Sequence, residues 1–213
     1  MIVSFSGIDS AGKTTQIENL IAYCKKNNIR CVRLWGKARG TPGVEFIKKL
    51  VRKDKKMSQD QKKQYRAEIF QNNKKKKLLL FASLLDLCWY WGIYYRLVSI
   101  FNKITILDRY VWDTYVEVKT EFTGIDFESW FLWKLVVALS PKPKNSFLFV
   151  IPAEESIKRD IKKHDLAPDS LLLKRQKIEL YMKLVHENKW QNVMDGMDSI
   201  SNLHDKVKKI LQI

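Results

Sequence analysis

The chain has 213 residues, a formal net charge of +16 and three cysteines. That length is one domain with room for a substantial core, and Cys24, Cys31 and Cys88 have neither metal-site nor redox-pair spacing, so reduced thiols are expected and disulfides are not. The positive balance favours anionic partners (phosphorylated small molecules, nucleic acid or an acidic membrane surface) without choosing among them; lysine spread over solvated helix faces also accounts for much of it.

The first stretch, Met1 to Thr15, reads MIVSFSGIDSAGKTT. Ile2, Val3 and Phe5 are the β-branched and aromatic residues of a buried strand, and Gly7 to Thr14 fits the pattern G-x-x-x-x-G-K-[ST] without mismatch. Gly7 and Gly12 let the backbone follow a tight path, partly at positive φ, that turns successive N–H groups inward at the positive end of a helix. Lys13 then reaches the β- and γ-phosphates of a nucleotide, and the Thr14 hydroxyl is placed to ligate Mg²⁺. Gly7, Ser10, Ala11, Gly12, Lys13, Thr14 and Thr15 are thus the candidates for holding ATP. Because the chain opens on what reads as its first core strand, no signal peptide is expected and a cytoplasmic location is.

Ile17, Leu20, Ile21 and Cys24 mark the apolar face of the next helix, Asn27 and Asn28 a turn, and Ile29 to Leu34 a second strand parallel to the first. Its carboxyl end carries WGKARGTPG, where open α/β sheets place ligand loops. Val44 to Asn73 is helical and very basic, with a break near Lys53 to Ser58. The run Lys74 to Lys77 then precedes an apolar stretch, Leu78 to Phe101, long enough to span a bilayer. Asp86 and Arg96 within it are costly in hydrocarbon, so a core helix is expected. Membrane-surface attachment through the lysines and exposed aromatics is the alternative.

Ile104 to Leu107 reads as a third strand that runs directly into Asp108-Arg109-Tyr110. An acidic residue ending a core strand beside a phosphate loop can hold Mg²⁺ directly or through water, and the next arginine can grip an acceptor phosphate bidentately. Val111 to Leu139 follows as two helices around Gly124. The aromatic stripe Trp130, Phe131, Trp133, with Leu135, suits core or a subunit interface. Ser146 to Ile151 is a fourth strand broken by Pro152, Arg175 to Glu187 a helix, Trp190 to Met194 an edge strand, and Leu203 to Ile213 a terminal amphipathic helix.

In this order the motifs resemble the thymidylate kinase family of P-loop nucleoside monophosphate kinases. GIDSAGKTT is similar to the family loop G-x-D-x-A-G-K-[ST]-T, whose aspartate faces the acceptor, a place Asp9 holds here. Arg39-Gly40-Thr41 matches the end of the family's arginine-rich segment, which gives Arg39 a phosphate-binding role, although Trp35 to Ala38 lack its earlier arginine and its proline. LLLFAS resembles the opening of the helix that lines the acceptor pocket, and the family carries Asp-Arg-Tyr where Asp108, Arg109 and Tyr110 stand. PAEESIKRDIKKHD resembles the segment leading into a basic lid, placed at about residues 158–170, with Lys158, Arg159, Lys162 and Lys163 available to close over ATP.

The resemblance implies a fold of class α/β, the P-loop NTPase three-layer fold, a single kinase domain over residues 1–213 with a central parallel five-stranded sheet and helices on both faces. It implies transfer of the ATP γ-phosphoryl with Mg²⁺ to a small-molecule acceptor, dTMP by family default, and a homodimer. Asp9, Lys13, Arg39, Asp108, Arg109 and Arg159 are the catalytic candidates; Thr14 and Asp108 are the metal candidates. Some positions depart from the family. The arginine that reads the thymine edge falls at Leu85, and Asp113, Thr114, Glu117 and Val118 stand where small hydroxyl residues and a Tyr-Gln pair are found. The pocket helix has gained Leu84, Leu85, Trp89 and Trp91. A different acceptor, such as a nucleoside or a sugar or lipid phosphate, is therefore the second reading. A nucleic-acid or membrane-surface binder using the P-loop as a switch is the alternative of another class; it needs a groove-reading module or a stacking platform, neither of which the sequence displays, so no nucleic acid is expected.

Overall fold

The computed structural model describes residues 1–36, 72–163 and 168–213. Arg39, Thr41, the basic stretch to Gln71 and residues 164–167 of the expected lid lie outside the described residues. The chain forms two compact units, one of residues 1–36, 97–120 and 142–213, the other described over residues 72–96 and 121–141.

In the first unit β1 (Ile2–Gly7), β2 (Cys31–Trp35), β3 (Ile104–Asp108), β4 (Asn145–Val150) and β5 (Asn192–Asp195) form one parallel sheet, in the order β2-β3-β1-β4-β5. Val3, Ser4, Phe5 and Ser6 are all completely buried, which requires cover on both faces of β1 even though apolar and hydroxyl side chains alternate along it. Phe5 stacks on Phe147 and Phe149 of β4 at 5.3 and 5.9 Å between ring centroids. The register sets Phe5 opposite Asp108 and Gly7 opposite Phe149, so the phosphate loop leaves the sheet between the carboxyl ends of β3 and β4. That is where a parallel sheet of this kind binds ligands.

The helices of this unit are α1 (Lys13–Lys26), α4 (Val111–Glu121), α6 (Ala153–Lys162), α7 (Leu171–His186) and α8 (Ile200–Leu211). Helix α1 buries Ile17, Leu20 and Cys24, and Gln16 Nε2 donates to the Ile200 carbonyl at 3.0 Å, tying it to α8. Ser170 and Ser199 cap α7 and α8 by accepting from the N–H groups of Leu173 and Asn202, which starts the terminal helix three residues before the expected Leu203. Strand β2 begins at Cys31 rather than Ile29, because the Ile29 N–H bonds back to the Cys24 carbonyl at 2.8 Å and Asn28 turns at φ 53° to end α1.

In the second unit, α2 (Asn73–Trp89) continues through a single wide turn, Tyr90–Tyr94, and α5 (Phe131–Leu139) packs beside α2; α3 (Tyr95–Ile100) begins in this unit, and its residues from Leu97 on belong to the first. Leu80, Leu84, Leu87, Trp91 and Tyr95 are buried, as a core helix requires. At Gly92 an added Cβ would stand 3.3 Å from Leu139 Cδ1, so the absence of a side chain lets α5 come close. Of the apolar residues gained on α2, Leu85 (49% exposed) and Trp89 (60% exposed) point outwards. The aromatic stripe divides likewise: Trp133 is buried edge-on against Phe127, and Phe131 is exposed. Among the described residues, Asn73–Ile100 is the one helix long and apolar enough to cross a membrane, with a third of its most apolar window buried.

Candidate active site

The loop between β1 and α1 has the backbone that its glycines anticipate. Gly7 lies at φ 134°, with the Phe149 carbonyl where a Cβ would stand, and Gly12 lies at φ 97° directly before α1. Between them Ser10 takes φ 59° despite its side chain. Lys13, in the first turn of α1, is buried and donates to the carbonyls of Gly7 (2.8 Å) and Ile8 (2.5 Å), so its amine lies over the loop. Thr14, one residue on, is exposed.

Burial, and next the nearby Arg109 guanidinium, pull the Lys13 ammonium down from its ordinary range to about 7. A bound triphosphate would reverse that shift. ATP binding near pH 8 is therefore expected to take up close to one proton, and affinity is expected to fall as pH rises above about 7, by up to about tenfold per unit. Calorimetry in two buffers of different ionisation enthalpy measures the uptake; at about pH 6 it should vanish, because the amine is already charged.

Asp108 ends β3 and Arg109 follows it directly. The Asp108 carboxylate is buried and held by Arg33 of β2, whose Nε donates at 3.0 Å and whose Nη2 makes a second contact. Arg109 takes φ 75°, with its N–H on the Phe5 carbonyl at 2.9 Å. This turn brings its guanidinium to the loop, where it pairs with Asp9 and stands 3.8 Å from both Asp113 and Glu117. Burial opposes the Arg109 charge, but the carboxylates of Glu117, Asp9 and Asp113 outweigh it and hold the group above its usual range.

Asp113 is a residue whose part the sequence did not disclose. Its carboxylate is buried in α4 and accepts four bonds: from Ser6 Oγ (2.5 Å), the Gly7 N–H (3.1 Å), the Tyr110 N–H (2.8 Å) and the Tyr181 hydroxyl (2.7 Å). It faces the root of the loop, and Thr114 and Val118 beside it are buried too. Burial, then the Asp113 charge, raise Tyr181 well above the usual phenol range, which keeps its hydroxyl a donor. The three-residue spacing from Tyr110 to Asp113 was a usable signal, since such an Asp side chain readily accepts from a backbone N–H three residues before it.

Arg159 of α6 reaches the other side of the loop. It pairs with Glu155 at 2.8 Å and donates from both terminal nitrogens to the Gly196 carbonyl at 3.1 Å. A pocket of about 310 Å³ opens there, lined by Ser10, Gly12, Thr15, Arg159, Lys162 and Gly196 among others. The structure thus assembles Asp9, Lys13, Asp108 and Arg109 on one side of the loop and Arg159 on the other; Arg39 lies outside the described residues.

For Mg²⁺ the donor set is spare: among the described residues no cluster of three or more His, Cys, Asp or Glu could hold a metal ion. The exposed Thr14 hydroxyl fits an ion that keeps most of its waters and takes its other oxygens from phosphate. Asp108, engaged by Arg33, fits contact through water.

A glycine-cradled anion loop at the carboxyl end of a parallel sheet, with a lysine above it, defines a P-loop nucleotide-binding protein of the α/β class. The family model for thymidylate kinase matches residues 5–207, and the chain belongs to the thymidylate kinase family. A 51-residue segment, 24% of the chain, is 41% identical to a thymidylate kinase of Chlorobium chlorochromatii (strain CaD3), and spans 22% of that relative's length.

Proposed function

We propose that the chain is an ATP-dependent kinase that moves the γ-phosphoryl of ATP to a small phosphorylated acceptor, a nucleoside monophosphate and dTMP by family default. The observation that carries this reading is the convergence of Lys13 over the loop with Arg109 and Asp9 at the carboxyl ends of β1 and β3. The loop N–H groups and Lys13 hold the β- and γ-phosphates, and the nucleoside of ATP occupies the pocket beside Arg159 and Gly196. Mg²⁺, held by Thr14 and through water by Asp108, would neutralise charge on the phosphates. Arg109 exchanges Asp9 for the acceptor phosphate, which leaves the Asp9 carboxylate to orient the acceptor. Catalysis on this reading is alignment and electrostatics, with no covalent intermediate. The protein acts in the cytoplasm, and exposed Leu78, Phe81, Leu85 and Trp89 on α2 suit the helical contact of a homodimer, which sedimentation would reveal.

A coupled ADP-release screen across nucleoside monophosphates, nucleosides, and sugar and lipid phosphates tests the reaction. In it, Arg109→Ala is expected to raise the acceptor KM and lower kcat, together about 10²-fold or more in kcat/KM, with ATP affinity changed little. Equal loss of ATP binding would assign the arginine to holding the loop.

A second reading, an acceptor other than dTMP, is favoured by Glu117, whose carboxylate lies 3.8 Å from the Arg109 guanidinium, and by the absence of an arginine at Leu85. A site that lacks a partner for a base's polar edge loses discrimination for that base by a few kcal/mol. A kcat/KM for dTMP of about 10⁵ M⁻¹s⁻¹ or above, with other acceptors far poorer, would sink it.

A further inference from the structure

Helices α6 and α7, on either side of residues 164–167, carry a buried charge pair that the reaction outlined above does not use. Lys174 and Asp160 are completely and almost completely buried, at 0% and 2% exposure, and Lys174 Nζ lies 2.7 Å from Asp160 Oδ2. Two polar groups so deep in a helix pair are costly to desolvate, and apolar side chains would pack there at least as well. The pair therefore calls for a reason other than stability, and its remaining bonds supply one.

Asp160 Oδ1 accepts from Ser10 Oγ at 2.5 Å. Lys174 Nζ also donates to Ser156 Oγ at 2.7 Å, and Ser156 Oγ donates to the Asp9 carbonyl at 2.8 Å. Ser10 is the non-glycine residue that the phosphate loop holds at φ 59°, and Asp9 is the residue whose carboxylate pairs with Arg109. The buried network thus ends on the hydroxyl of Ser10, whose backbone takes a conformation that L side chains avoid, and on the backbone carbonyl of Asp9, the residue whose carboxylate pairs with Arg109.

The geometry points to Asp160 and Lys174 as positioning residues that hold the 9–10 segment of the phosphate loop in its phosphate-binding conformation from outside the loop. Asp160 acts on Ser10 directly. Lys174 acts by fixing the Asp160 carboxylate and by orienting the Ser156 hydroxyl, whose proton it directs to the Asp9 carbonyl. The inference rests on the kinase reading only for its effect on rate; its effect on the loop stands without it.

The test separates packing from positioning. Asp160→Leu and Lys174→Met each strand one buried charge or its partner and are expected to lower Tm. The double variant Asp160→Leu/Lys174→Met removes both charges and is expected to recover Tm to within a few degrees of the parent, as apolar replacements of buried ion pairs do. In that recovered double variant, amide hydrogen exchange across residues 7–12 is expected to quicken by about tenfold or more. Its kcat is expected to stay at least about tenfold below the parent, with ATP Kd changed less than about threefold, because a loosened loop misaligns the transition state more than it weakens the ground-state complex.

Loop protection equal to the parent's in the double variant overturns the brace, whatever the rate does. Lost protection with an unchanged kcat overturns its part in catalysis. A double variant that stays at the Tm of the single variants shows the pair to be packing the fold, and also overturns it. A parent protein that binds ATP to none of these measurements and forms no ADP with any acceptor overturns the kinase reading, while the exchange result still decides the brace.

Discussion

Replacing Lys13 with alanine is expected to lower the rate of phosphoryl transfer by about 10³-fold while leaving the protein folded and at least as stable. The two halves of that expectation have one cause. The amine is buried and its charge is disfavoured there, first by burial and then by Arg109, so it contributes little to folding. Its bonds to the Gly7 and Ile8 carbonyls are ones a triphosphate oxygen would replace with stronger, charge-assisted contacts. Removing it takes away a cation that meets the phosphates as charge moves between them. Coupled ADP release and a thermal melt on the same preparation measure both halves. Normal turnover in Lys13→Ala would refute the P-loop reading, and a collapsed melt would show the lysine to be structural.

The second large effect is on stability. Asp113→Ala is expected to cost about 3–5 kcal/mol of unfolding free energy, because one carboxylate serves four donors: the Ser6 and Tyr181 hydroxyls and the Gly7 and Tyr110 N–H groups. All four lose their acceptor in a place that water does not reach readily, with Ser6 completely buried and Tyr181 3% exposed. It would also remove one of the carboxylates near Arg109. Tyr181→Phe leaves three of the four bonds and is expected to cost only about 1 kcal/mol. Urea unfolding at unchanged m-value measures both. If Asp113→Ala unfolds within about 1 kcal/mol of the parent, Asp113 is not the hub its bonds make it.

The phosphate loop was legible in the chain because its parts are local. Gly7 and Thr14 stand seven positions apart, and the positive φ at Gly7 and Gly12 follows from residue type. The strands were legible too, since Val3 and Phe5, Ile104, Ile106 and Leu107, and Phe147 to Phe149 are the β-branched, leucine and aromatic side chains that a parallel sheet buries. Strand and helix ends were less so: the start of β2 depended on where the Ile29 N–H found its acceptor, and α8 began at the Ser199 cap. On α2 the apolar run concealed two faces, because leucine stands at both buried and exposed positions and Ser83 lies on the buried side; Leu84 is buried and Leu85 is not.

What the sequence by itself determined is the glycine-turned backbone of the loop and the strand leading into it, each encoded within a few neighbouring residues. What only the tertiary structure decided is which distant groups govern them. Arg33 holds Asp108 across 75 residues, Asp113 reaches Ser6 across 107, and Asp160 holds Ser10 across 150. Each of these side chains, read along the chain, is an ordinary charged residue of a strand or helix. Their partners are set by the strand order β2-β3-β1-β4-β5, which places β3 and β4 on either side of β1 and brings their following helices to the loop. That order arises from burial of the whole sheet, a sum over many apolar contacts, and no local spacing carries it.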